Sequence, residues 1–114
     1  MKKHLLFFSF LIILFPLTAQ PLCQIEYFNA NNGLSQGVIT AILQDQKGFM
    51  WFSTWNGLDK FDGYSFRNYK AFPGDGCMLT NNRIVFITES KYGNIWCQTY
   101  DGHIFLFDTK EEKF

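Results

Sequence analysis

Histidine is scarce in this chain, which has only His4 and His103 among its 114 residues. Neither lies in a metal-ligand spacing, and no nucleophile is paired with a base, so zinc-type and triad-type catalysis are not expected. No glycine-rich phosphate loop opens a helix, which removes the commonest nucleotide cradle, and no cofactor is expected. Positive charge is not in excess: ten Lys and Arg balance ten Asp and Glu. A nucleic-acid partner would need a basic face, so none is expected. The three cysteines, Cys23, Cys77 and Cys97, are too few for a disulfide framework. Cys97 follows Trp96 on an apolar run and reads as a small buried residue.

Long apolar runs are also missing. The longest, Leu5 to Leu17, is interrupted by Ser9 and Pro16; at about 13 residues it is short of the roughly 18 to 20 needed to cross a bilayer. With Lys2 and Lys3 before it and small or polar residues after it, residues 1–19 read as a secretory signal peptide. Cleavage is expected after Ala19, or as late as Cys23, and a retained membrane anchor is the rival reading. A lipid anchor on Cys23 is disfavoured because Pro21 and Leu22 stand where such processing needs small residues. Removal of the leader also removes two lysines, leaving the mature chain mildly acidic.

What the chain does have is the same stretch twice. Leu34 to Gly57 recurs 45 residues later as Leu79 to Gly102. Leu34 matches Leu79, Ile39 Ile84, Ile42 Ile87, Gly48 Gly93, Trp51 Trp96, Thr54 Thr99 and Gly57 Gly102. With one residue inserted in a turn the match runs on, setting Phe61 against Phe107 and Asp62 against Asp108. A period in the forties marks an array of structural units.

Each copy consists of short runs rich in β-branched and aromatic residues, divided by Gly, Asn and Asp. These are too short and too often interrupted for helices, and they predict four strands per copy. Asn56-Gly57, Asp101-Gly102 and Asp62-Gly63 read as tight hairpin turns whose residues tolerate positive φ. Four antiparallel strands in about 45 residues, with Trp on the second, describe one blade of a β-propeller. The expected fold is therefore all-β: a lead-in strand at 24–33, blade 1 at 34–78 and an incomplete blade 2 at 79–114. The second copy reaches Phe114 where its fourth strand is due to begin, and closed propellers have typically four to eight blades. These residues are thus expected to be the N-terminal part of a longer protein, whose remaining blades are the expected partners.

The repeats resemble the two-component regulator propeller family, whose pattern is close to V..I..D..G..W..T..GL..FD....F..Y. The first copy has Val38, Ile39, Ile42, Asp45, Gly48, Trp51, Thr54, Gly57, Leu58, Phe61, Asp62, Phe66 and Tyr69. The second keeps Ile84, Ile87, Gly93, Trp96, Thr99, Gly102, Phe107 and Asp108, but has Ser90 in place of Asp and His103 in place of Leu. The resemblance implies the periplasmic sensor region of a membrane receptor, often a hybrid histidine kinase, and a ligand derived from glycan breakdown. This segment shows neither a kinase's helical phosphoacceptor histidine nor its nucleotide site, so the enzyme would be the parent protein and not this stretch. An exported propeller enzyme, a quinone-dependent dehydrogenase or a lyase, is the alternative class.

Sugar binders stack rings on Trp and Tyr. Trp51 and Trp96 recur within the blades and are expected to pack between them, whereas Trp55 and Tyr100, equivalent residues beside the turns, are the candidate ligand contacts. Asp45, Asp62 and Asp108 are expected to accept hydrogen bonds from turn amides.

Overall fold

A computed structural model describes residues 22–114. The signal peptide and the Ala19 cleavage point lie outside the described residues. The rest is all-β, with seven strands in two antiparallel sheets. The first sheet is an up-and-down meander of β1 (Ile39–Gln44), β2 (Met50–Thr54), β3 (Gly57–Phe61) and β4 (Phe66–Tyr69). The second repeats it with β5 (Ile84–Glu89), β6 (Ile95–Thr99) and β7 (Ile104–Phe107). A register shift falls between Ile39 and Ala41 in one sheet and between Ile84 and Phe86 in the other. The repeat therefore extends to the irregularities of the ladder.

The two sheets pack face to face around Trp51, Leu58, Ile84, Ile87, Ile95, Cys97 and Phe107. Alternation along each strand makes this possible: Trp51 points to blade 2, while Ile95 and Cys97 on β6 point back to blade 1. The Trp51 and Phe107 rings meet edge-on at 5.6 Å, and Tyr69 lies 4.6 Å from Phe107. The innermost strands are tied as well, since the Thr40 hydroxyl donates to the Ile84 carbonyl at 2.7 Å.

Two expectations need correction. Residues 24–29 form no strand and are exposed: a strand exists only by pairing, and no described edge pairs with this segment. Instead Phe28 lays its ring on the outward face of blade 1, 5.0 Å from Phe61 and 5.2 Å from Phe66. The hairpin turns also differ from the expected geometry. Gly57 and Gly102 have positive φ, but Asn56 and Asp101 do not. The Thr54 hydroxyl accepts the Asn56 amide at 3.0 Å, and with Asn56 at negative φ the positive-φ step falls to Gly57.

Blade 2 has three strands within the described residues. After β7, Asp108 bridges to Lys113 and the Phe114 ring settles 5.1 Å from Phe107. The Phe61–Phe66 pair at 4.7 Å stands at the same place in blade 1, so Phe114 occupies the position at which β4 starts.

Candidate functional site

The β2–β3 and β6–β7 turns lie on one end of the sheets, beside the connections that lead into β1 and β5. Trp55 and Tyr100 sit there with 46% and 68% of their surface exposed. The structure brings both to a single side chain that the sequence reading did not single out. Arg83, one residue before β5, places its guanidinium carbon 4.6 Å from the Trp55 ring centre and 5.1 Å from that of Tyr100. Both distances are within cation–π range. The signal for Arg83 was available in the repeat: its partner 45 residues earlier is Val38.

Beside this cluster, His103 Nδ1 lies 3.2 Å from Asp101 Oδ2, and both are solvent-exposed. The Thr99 hydroxyl donates to Asp101 and, together with His103, holds that carboxyl below its ordinary value. His103, just after the turn, is exposed on the rim.

The aspartates of the pattern are structural. Asp45 accepts the Lys47 and Phe49 amides at 2.9 Å each on one oxygen and the Trp51 indole N–H at 2.8 Å on the other. Asp62 accepts the amides of Tyr64 and Ser65, and Asp108 those of Lys110 and Glu111. These amide bonds, that to Ser65 first for Asp62 and that to Glu111 first for Asp108, keep both carboxyls low.

A second unforeseen residue is Asp59, which is fully buried. Its oxygens accept the Ser35 amide at 2.8 Å, the Ser35 hydroxyl at 3.0 Å and the Asn68 amide at 2.9 Å. Asn68 also donates to the Gly33 carbonyl. A buried carboxylate needs such partners, and these staple the start of the repeat to blade 1. At the matching place blade 2 has Phe105, so this departure from the repeat was also readable.

On the opposite end of the sheets a groove of about 230 Å³ runs between the blades. Lys60 lies in it with its ammonium 4.2 Å over the Phe49 ring and 4.0 Å from Glu112. Glu112 also takes Arg67 and the Tyr69 hydroxyl, an ionic clasp between the blades. Arg67 first and Tyr69 next hold its carboxyl low, while burial, then Glu112, push the Tyr69 phenol up to about 12. Among the described residues no three His, Cys, Asp or Glu are grouped to hold a metal ion, and no helix is long and apolar enough to cross a membrane.

A four-stranded and a three-stranded meander, packed together with repeated tryptophans and matching bulges, define the class: consecutive blades of a β-propeller. Residues 33–56 match the family described as two component regulator propeller. The match runs from Gly33 to Asn56. It covers β1, β2 and the turn that carries Trp55. A curated relative, histidine kinase P4 of Formosa agariphila, is 40% identical over 53 residues, which is 46% of this chain. The chain spans only 4% of that protein's length.

Proposed function

We propose that this chain supplies the opening blades of an exported, periplasmic sensor propeller in a two-component receptor, and that the rim around Trp55 and Tyr100 contacts a ligand derived from glycans. The observation that carries the reading is the regulator-propeller repeat at 33–56, placed in a blade whose turn presents an exposed aromatic residue. In histidine kinases such propellers are typically extracellular sensor domains, which supports the export reading of residues 1–19. The kinase chemistry belongs to the parent receptor.

Further blades of the same protein are the proposed partners of the open face of blade 2. Phe86, Trp96 and Leu106 are exposed there, at places equivalent to Ala41, Trp51 and Lys60, which in blade 1 are covered wholly or in part. Trp96 is 42% exposed against 1% for Trp51. An apolar face of that kind is normally covered in a soluble protein.

Two experiments test the proposal. N-terminal sequencing of the protein from the periplasmic fraction should read from Gln20; a chain that keeps residues 1–19 and stays in the cytoplasm would overturn the export reading. In the intact receptor, changing Trp55 and Tyr100 together to Ala should reduce both glycan affinity and signalling. Unchanged affinity and signalling would remove the rim from the ligand site.

A further inference from the structure

The repeat shows which part of Arg83 the fold needs. In blade 1 the Val38 carbonyl accepts the Trp55 amide at 3.4 Å; in blade 2 the Arg83 carbonyl accepts the Tyr100 amide at 2.9 Å. The same backbone bond is made with Val or Arg, so the ladder does not require a guanidinium at this place. Among other basic side chains, Arg67 and Lys60 are engaged by Glu112 and Lys113 by Glu111, while Lys70 and Lys91 each lie over a single aromatic ring close in sequence, Phe72 and Tyr92. The Arg83 guanidinium has no carboxylate partner among the described residues, and neighbouring Asp101 is occupied by Thr99 and His103. Two aromatic rings from adjacent blades hold it instead.

We propose that Arg83, flanked by Trp55 and Tyr100, forms a binding site for an anionic saccharide, a sugar ring that carries a carboxylate or sulfate. Aromatic contact orients a guanidinium through its flat face and leaves its in-plane N–H fork open for a bidentate oxyanion. The exposed surface of the two rings is available to the apolar face of the same sugar. This inference rests on the sensor reading above and adds the charge of the ligand to it.

Calorimetric titration of the full chain with trigalacturonate, a sulfated galactotriose and neutral galactotriose tests it. At least one charged probe should bind about tenfold or more tightly than the neutral one, as one charge-assisted hydrogen-bond pair allows. Which of the two does so identifies the carboxylate or the sulfate. Arg83→Gln should abolish that preference, and Arg83→Lys should keep part of it, with melting temperatures unchanged because the backbone bonds persist. Equal binding of charged and neutral probes, no binding of any probe, or a preference that survives Arg83→Gln would overturn the proposal. Trp55→Ala separates the two levels: if it weakens neutral-sugar binding that Arg83→Gln leaves alone, the rim reading stands and the anionic ligand falls. If Trp55→Ala leaves every probe unaffected, both fall together.

Discussion

Blades 1 and 2 place a tryptophan at the same point of the same strand, yet the two indoles are held differently. Trp51 is buried by blade 2 and donates to Asp45; Trp96 is half-exposed, and Ser90 stands where that aspartate would be. Ser90 still performs half of the task, because its hydroxyl accepts the Tyr92 and Asn94 amides at 3.3 and 3.1 Å. A hydroxyl can organise the turn but is too short to reach the indole as well. The turn is thus a property of each blade, whereas burial of the tryptophan is a property of the next blade along.

The largest break in this comparison should come from Gly57→Val. A Cβ there would sit 2.4 Å from the Tyr69 carbonyl oxygen, at a φ of 116°. Gly102 has positive φ but nothing within 4 Å of a Cβ, so Gly102→Val should be the milder change. Thermal unfolding of the full chain should show blade 1 lost in the first variant and only a lowered midpoint in the second. Trp51→Ala should cost about 3 to 5 kcal/mol, and Trp96→Ala about 1 kcal/mol or less while its face stays open. In a longer chain with a blade seated on Trp96 the two costs should converge, which measures that docking directly by chemical denaturation.

Asp45→Ala removes three hydrogen bonds and strands a buried indole N–H, so a loss of about 2 to 4 kcal/mol is expected. Ser90→Ala should lose under about 1 kcal/mol, because its bonds are to one exposed and one part-buried amide and no buried donor is stranded. Equal losses in urea melts would mean that the indole bond contributes nothing.

Two smaller effects come from the clasp between the blades. The low carboxyl of Glu112 means that its contribution is complete above its unfolded value of about 4.3 and fades as pH falls through the lower folded value. Glu112→Gln should flatten that acid limb of the stability curve. Tyr69 works in the opposite sense: its raised phenol favours the folded state below its unfolded value of about 10, and that preference is lost as pH rises towards about 12. Absorbance titration of the phenolate, with and without Tyr69→Phe, checks it. Cys97, buried and with its thiol pushed up to about 12 by burial, should resist thiol reagents at pH 8 until the chain unfolds, while part-exposed Cys77 reacts.

Much of the blade was legible because its determinants are local. Strand periodicity, turn glycines and the Asp45, Asp62 and Asp108 caps act within a few residues, so seven matched identities were enough to predict the meander. The lead-in strand was misjudged for the converse reason: alternation in Gln24 to Asn29 marks a segment able to pair, but pairing needs an edge supplied from elsewhere. Trp55 and Tyr100 were legible as equivalent residues beside their turns. Their common neighbour Arg83 was missed because a lone arginine carries no periodic signal; only comparison with Val38 sets it apart.

By itself the sequence determined the repeat, the four-strand blade and the turn chemistry, since these follow from neighbours in the chain. The tertiary structure alone decided which tryptophan is buried, that Asp59 is stapled to Ser35 and Asn68, and that Arg83 lies between rings 45 residues apart. Those are contacts between segments distant in sequence, and a strand pattern specifies which face is apolar without naming what will cover it.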